Sequence, residues 1–189
     1  MDKRPLVFNA DQLRKGKAGR GKGKVKRQEI YIVLDNVLDT YNIGSIFRLA
    51  DSVAAKKLYL CGGTETPPNS RIKKASINTT EVVEWEYCET AVEAIQKLTS
   101  EVSHKASARS HPFGSEPQGR RLGGVPVQIV AIEQSTKSIQ YGEFNYKLPI
   151  CLIVGNESDG VSKEVLKMAD AIVELPMFGV NKSLNVMVS

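Results

Sequence analysis

Residues Ile30–Leu34 read IYIVL, a short run that is apolar at consecutive positions and rich in β-branched side chains. Such a run is typical of a strand buried on both faces, because a strand with one wet face alternates apolar and polar residues. Pro149–Val154 (PICLIV) has the same character and ends at Gly155. The two runs therefore predict two buried strands.

On either side of these runs, strand-like and helix-like patterns alternate along the chain. The helical pattern after the first run is the clearest, since Ile43, Ile46, Ala50 and Val53 recur at helical spacing. Alternation of this kind predicts an α/β fold, a mostly parallel sheet flanked by helices. Further strands are predicted at Lys57–Cys61, Val82–Tyr87, Pro126–Ile132 and Ala171–Leu175, and helices at Asn42–Ala54, Arg71–Ala75, Thr90–Leu98 (where Thr90 and Glu93 form a capping box) and Gly160–Ala169.

Two segments fall outside the alternation, so the folded domain is expected to span residues 29–189. Residues 1–28 hold ten Lys or Arg and two Asp, a net charge of +8, which leaves −3 of the total +5 for the rest. This segment is predicted to be a flexible basic arm that binds a polyanion, with nucleic acid the first candidate, or else a solvated tail. Residues 103–124, rich in Ser, Gly, Pro and Arg, are predicted to be a disordered, dispensable insertion.

Composition excludes several classes of protein. Hydrophobic residues make up 41% and charged residues 25% of the 189 positions, without an apolar run of membrane-spanning length or a signal peptide. Cys61, Cys88 and Cys151 show no C-x-x-C spacing, which favours free thiols in a reducing cytoplasm over a zinc site or disulfides. His104 and His111 have no cysteine or carboxylate cluster near them in sequence, so no metal site is expected.

The first candidate motif is Asn42-x-Gly44-x-x-x-Arg48. Gly44 and Arg48 are four residues apart and share a helix face, where the missing side chain of Gly44 would leave room for a ligand above Arg48. Asn42 could cap the helix and face the same space. The alternative is an ordinary capped helix with one exposed arginine.

The second candidate motif, Gly155-Asn156-Glu157-x-x-Gly160, lies between a buried strand and a helix. Ligands of open α/β sheets bind beyond the carboxyl ends of strands, and a glycine there allows a ligand to approach the backbone. Glu157 could bind a cation, a hydroxyl group or Arg48, or it could simply occupy the first turn of a helix. The motif is neither a dinucleotide fingerprint nor a P-loop.

The third candidate motif runs from Leu175 to Val186, where a strand ends at Pro176 and Gly179 and a polar loop follows. Ser183 or Asn185 could cap a helix after this loop. In this order, NIGSIFR (42–48), LIVGNESDGV (152–161) and ELPMFGVNKSLNV (174–186) resemble the three motifs of SpoU/TrmH-type RNA 2′-O-ribose methyltransferases of the SPOUT superfamily. The resemblance runs from about Glu29 to the end of the chain.

The resemblance implies a methyl transfer from S-adenosylmethionine to a ribose 2′-hydroxyl of tRNA or rRNA, in a homodimer and without a metal. It implies that the cofactor lies in a C-terminal trefoil knot. Arg48 would grip the target phosphate and polarise the hydroxyl, with Asn42 orienting it. Glu157, Asn185 and Ser183 would complete the catalytic site, and the cofactor pocket would use Ile132, Gly155, Leu175, Met177, Ser183 and Leu184.

The chain departs from the family pattern at its C-terminal end. Met187 stands where the family usually has serine, and the family usually continues in a helix that completes the knot and packs in the dimer interface. The alternative to an enzyme is therefore a truncated or degenerate, non-catalytic RNA-binding protein with an incomplete knot. A generic nucleotide-binding α/β module is a third interpretation, but it leaves Ser183–Val186 unexplained.

Overall fold

The computed structural model describes residues 26–109, 126–180 and 184–187, and these residues form a parallel sheet with helices on both faces. The predicted alternation of strands and helices is confirmed at each predicted element. The elements are β1 (Gln28–Asp35), α1 (Thr40–Ser52), β2 (Ala55–Cys61), α2 (Ser70–Ser76), a 3₁₀ turn (Thr79–Glu81), β3 (Glu84–Cys88), α3 (Ala91–Arg109), β4 (Gln128–Ile132), β5 (Ile139–Gln140), β6 (Ile150–Gly155), α4 (Lys163–Met168) and β7 (Ala171–Glu174).

The seven strands of the sheet are arranged in the order β3-β2-β1-β6-β4-β7-β5, and every neighbouring pair is parallel. The two apolar runs that decide the fold, β1 and β6, are hydrogen-bonded neighbours near its centre. Because all strands run in one direction, their carboxyl ends share one edge of the sheet. The loops that leave β1, β4, β6 and β7 therefore meet at that edge.

The apolar run of β1 is explained by a core on each face of the sheet. Tyr31 and Val33 pack into a cluster with α3 and α4 on one face. Ile32 and Leu34 pack into a second cluster with α1 and α2 on the other. Successive side chains of a strand point to opposite faces, so a strand covered on both sides is apolar at every position.

Several element boundaries differ from the prediction. The helix predicted to begin at Asn42 begins at Thr40, since Asp39 is its cap and accepts from the backbone N–H of Tyr41 at 2.8 Å. Val53, predicted to be on the apolar face, lies beyond the helix and is 48% exposed. The short strand β5 was not predicted, because two residues carry no detectable period.

The structure describes one end of each of the two segments that were predicted to be flexible. The predicted insertion at 103–124 is helical through Arg109, because α3 continues beyond Leu98 on residues that favour helix without needing an apolar stripe. The arm predicted at 1–28 already contacts the domain at its end, where Arg27 lies 3.1 Å from Asp51 and Gln28 begins β1. The rest of the predicted arm (residues 1–25) and of the predicted insertion (residues 110–124) lies outside the described residues.

The three cysteines are buried free thiols. Burial raises the pKa of Cys151 to about 12 and also raises the pKa values of Cys61 and Cys88. Among the described helices none has the length and apolar character to cross a membrane. The predicted trefoil knot depends on the chain around the third motif, and it stays a prediction.

Candidate functional site

A pocket lies at the edge of the sheet where β4, β6 and β7 end. Ile132 is the last residue of β4 and Gly155 the last of β6, and both line the pocket. Leu175 and Met177, which follow β7, form another wall together with Leu184. The structure thus brings together the predicted cofactor-binding residues that it describes; Ser183 falls in 181–183, outside the described residues.

The glycines of the second motif are required by chain packing. A Cβ atom at Gly155 would overlap the backbone of Gly160 and Val161, and one at Gly160, where φ is +71°, would overlap the carboxylate of Glu133. Asn156 and Gly160 are joined by reciprocal backbone hydrogen bonds of 3.0 and 2.9 Å. The sequence predicted that the missing side chain of Gly155 makes room for a ligand. This was wrong, because the backbone of Gly160 and Val161 fills that space.

The side chain of Glu157 connects the second motif to the first. Its Oε1 accepts hydrogen bonds from the side-chain amide of Asn42 at 3.0 Å and from the backbone N–H of Asp39 at 3.1 Å. Its Oε2 accepts from the N–H of Leu38 at 3.1 Å. Partial desolvation raises the pKa of Glu157, but the hydrogen bonds outweigh it and hold that pKa below its ordinary value.

Asn42 is buried in the first turn of α1, with 5% of its surface exposed. It is not the helix cap, because Asp39 takes that position. The hydrogen bond that the structure shows for its amide goes to Glu157, whereas the sequence suggested an orientation of Arg48. The geometry therefore makes Asn42 part of the link between the two turns.

Gly44 is where α2 crosses α1. A Cβ atom there would lie 2.6 Å from the Cβ of Ala75 and 2.7 Å from the backbone oxygen of Ile72. The prediction that Gly44 leaves space for a ligand was wrong, because α2 occupies that space. Arg48, one turn further along, is exposed and forms no hydrogen bond or ion pair with the described residues.

Asp35 and Asn36, which sequence reasoning passed over, hold the two turns together. Buried Asp35 accepts from the N–H of Ser162 at 2.9 Å and from the amide of Asn36 at 3.0 Å. The amide of Asn156 in turn donates to the backbone oxygen of Asn36 at 2.9 Å. The available signal was positional: Asp35 ends β1 and Asn36 follows it, Asn156 and Glu157 follow β6, and β1 and β6 are neighbours.

Glu133 is a second residue that the sequence analysis missed. It follows β4, lines the pocket and accepts from the N–H of Val161 at 2.8 Å and of Gln134 at 2.9 Å. Glu174 also lines the pocket, and its Oε2 accepts from the hydroxyl of Ser138 at 2.7 Å. The pocket therefore has carboxylates on two of its walls.

The end of the third motif is described only at residues 184–187. The side chain of Asn185 accepts from the backbone N–H of Met187 at 2.9 Å, which is the hydrogen bond that a helix cap makes. Val186 packs against the core on the α1 side of the sheet and also lines the pocket. This places the third motif beside the second.

The walls fit the chemistry of an adenosyl sulfonium compound. Ile132, Leu175 and Met177 supply apolar surface for a heterocyclic base. Glu133 and Glu174 supply carboxylates that suit ribose hydroxyl groups and a cationic ligand. No cluster of three or more potential metal ligands occurs within 26–109, 126–180 and 184–187.

Comparison with known proteins finds enzymes that modify RNA among the proteins similar to this chain. A tRNA (guanosine(18)-2′-O)-methyltransferase from Aquifex aeolicus is 33% identical over 168 residues, which cover 87% of this chain and 66% of that protein. The AdoMet-bound rRNA methyltransferase from Sinorhizobium meliloti has a similar structure, with a TM-score of 0.66 and 26% identity over 86% of this chain and 53% of that one. The structure of the A. aeolicus TrmH/SpoU tRNA modifying enzyme matches with a TM-score of 0.64 and 28% identity, over 86% and 71% of the two chains.

The chain spans about two thirds or less of the length of the first curated relatives it matches. The two solved structures share the fold of this chain. The model of the SpoU rRNA Methylase family matches residues 29–189, the range expected from the sequence motifs. This chain belongs to the SpoU rRNA Methylase family.

Proposed function

We propose that this protein transfers a methyl group from S-adenosylmethionine to a ribose 2′-hydroxyl of RNA. The observation that supports this most strongly is the convergence of Ile132, Gly155, Leu175, Met177 and Leu184 on one pocket at the carboxyl edge of the sheet. The relatives named above are RNA methyltransferases, and one was solved with this cofactor bound. That these residues line one pocket supports the assignment of the cofactor to it.

The cofactor supplies a methyl group already activated by its sulfonium. What the protein must do is hold that methyl group and the ribose hydroxyl in line and assist loss of the hydroxyl proton. The apolar side chains of Leu175 and Met177 would bind the adenine and exclude water. Glu133 and Glu174 would face the polar and cationic parts of the cofactor.

Arg48 is proposed to bind the phosphate of the target nucleotide and to polarise its 2′-hydroxyl. A guanidinium is a poor base but a good anion ligand, because it offers five N–H donors and no acceptor. An exposed arginine without an internal partner is available for this role. Asn42 and Glu157 would act as positioning residues, since their hydrogen bond holds the start of α1 against the pocket. Asn185 and Ser183 would complete the site.

The substrate is proposed to be tRNA or rRNA, since relatives named for each are similar to this chain. We propose that the protein is a homodimer. We also propose that it is located in the cytoplasm, since the three free thiols fit a reducing compartment. Mapping of 2′-O-methyl sites by mass spectrometry in RNA from a deletion strain would identify the nucleotide.

The direct test is calorimetry with S-adenosylmethionine, followed by methyl transfer from labelled cofactor to total RNA. We expect cofactor binding and incorporation of label at 2′-hydroxyl groups. Leu175→Arg should abolish binding by placing a cation in the pocket, whereas Leu148→Arg, at a position 52% exposed and outside the pocket, should not. RNA binding without cofactor affinity would instead support the non-catalytic RNA-binding protein.

A further inference from the structure

A groove separate from the proposed cofactor pocket lies between α2 and the edge strand β3. The residues that line it include Pro67, Pro68, Lys73, Thr80, Glu81 and Trp85. It shares no residue with the cofactor pocket. We propose that this groove binds single-stranded RNA, with a base stacked on Trp85 and neighbouring phosphates on Lys73 and the basic face of α2.

The aromatic and proline surfaces of the groove suit a nucleobase. Trp85 is half-buried and is the only tryptophan of the chain. Base stacking on an aromatic ring beside a cationic surface is the common way in which proteins bind single strands, because every base has a flat apolar face. Pro67 and Pro68 add apolar surface to the lining of the groove.

Charge on α2 identifies a polyanion as the occupant. Its sequence, SRIKKAS, contains Arg71, Lys73 and Lys74 and no acidic residue. All three basic residues are exposed and form no ion pair with the described residues. The nearby carboxylates of Glu84 and Glu86 both lie within salt-bridge distance of Lys57, at 3.7 and 2.7 Å. Lys73 and Glu81 both line the groove, and Arg71 and Lys74 add two exposed cations on the same helix.

The backbone of the groove wall is held in an uncommon conformation. Ile77 and Asn78 follow α2 with φ values of +51° and +65°, and Ile77 is 64% exposed. A β-branched residue rarely adopts this conformation, and such residues concentrate at functional segments. The two residues turn the chain into the 3₁₀ segment that contributes Thr80 and Glu81 to the groove.

The position of the groove is compatible with the proposed target site. α1 and α2 cover the same face of the sheet, and Gly44 on α1 touches α2 at Ala75 and Ser76. Arg48 lies one helical turn beyond Gly44 on that side of α1. A strand whose target phosphate is bound by Arg48 could therefore continue along α2 into the groove. This inference rests on the proposed RNA substrate and adds a second contact outside the methyl-transfer site.

The single tryptophan makes the proposal directly measurable in the full-length chain. A short oligouridylate is titrated while tryptophan emission is recorded, and the anisotropy of a labelled copy reports binding independently. We expect saturable quenching that follows the anisotropy curve. An abasic ribose-phosphate chain of equal length should bind through its charge without quenching. RNA binding without quenching would overturn the proposal, as would the absence of any binding.

Matched variants test the phosphate contact. Lys73→Gln should reduce the slope of log affinity against log salt by about 0.7, the effect of one lost phosphate contact on a single strand, and Lys147→Gln should leave it unchanged. Trp85→Leu, checked for folding by circular dichroism, should weaken binding roughly fivefold or more. Equal slopes for both lysine variants would contradict the assignment. Quenching without methyl transfer would contradict the proposed function but not the groove. Methyl transfer without quenching would contradict RNA binding in the groove but not the proposed function.

Discussion

The carboxylate of Glu157 accepts a hydrogen bond of 3.0 Å from the side-chain amide of Asn42, although 115 residues separate the two in sequence. The same carboxylate accepts from the N–H groups of Leu38 and Asp39, which precede α1. One side chain thus fixes the start of the helix that carries Arg48 relative to the pocket at the end of β6.

Replacing Glu157 by glutamine should destabilise the fold. Glutamine offers one acceptor oxygen where three donors now converge, and its NH₂ group would face a donor. Because the residue is exposed, we expect the free energy of unfolding to fall by about 1 kcal/mol, which is less than charge-assisted hydrogen bonds usually contribute. Urea unfolding measures it, with Glu65→Gln as the control, since Glu65 is exposed and makes no hydrogen bond with described residues. Equal midpoints for the two variants would contradict the role of Glu157.

The contribution of Glu157 to stability should depend on pH. Its pKa in the folded protein lies below the ordinary value of 4.5, so its stabilisation is present above that pH and is lost as the pH falls through the lowered pKa. The difference in unfolding free energy between wild type and Glu157→Gln should therefore be constant near neutrality and shrink below pH 4.5. Glu86, whose pKa is lowered by hydrogen bonds from Lys57 and Lys97, titrates in both proteins and cancels. A difference that grows on acidification would be inconsistent with this.

Gly44→Ala should destabilise the protein even though alanine is the better helix former. The added Cβ would lie 2.6 Å from that of Ala75 and 2.7 Å from a backbone oxygen of α2, which would push the helices apart. Overpacking of this kind costs about 1–3 kcal/mol, more than the roughly 1 kcal/mol gained in helix propensity. Gly142→Ala, with nothing within 4 Å of the new Cβ, is the control in thermal unfolding. An unchanged melting temperature for Gly44→Ala would show that α2 yields easily.

Arg48→Ala should reduce methyl transfer by roughly a hundredfold or more, the effect of losing a charge-assisted hydrogen bond in a transition state. Cofactor binding and folding should survive, because Arg48 is exposed and does not line the pocket. Arg48→Lys should be nearly as damaging, since lysine cannot form the bidentate contact. Single-turnover assays measure the rate, with Lys147→Ala as the control. A wild-type rate for Arg48→Ala would return the first motif to a capped helix with an exposed arginine.

The fold class could be predicted from the sequence because the burial of a strand or helix determines which of its positions are apolar. A strand covered by helices on both faces must be apolar at consecutive positions, and IYIVL in β1 is. The strand order could not be predicted, because nothing local in Pro149–Val154 states that this run lies between β1 and β4. The helix α3 is longer than predicted, because its last turns need no apolar stripe and so show no helical spacing of apolar residues.

At the candidate site, the sequence alone determined which residues to consider, since Gly, Asn and Glu at strand ends are recognisable by type and spacing. What each does was decided by tertiary structure. Gly44 and Gly155 look like openings for a ligand, but a neighbouring helix and a neighbouring turn fill the space beside them. Asn42 looks like a helix cap, and it instead donates to a carboxylate that follows a strand 115 residues away. Contacts between distant segments arise from packing, so they cannot be predicted from the local periodicity of a chain.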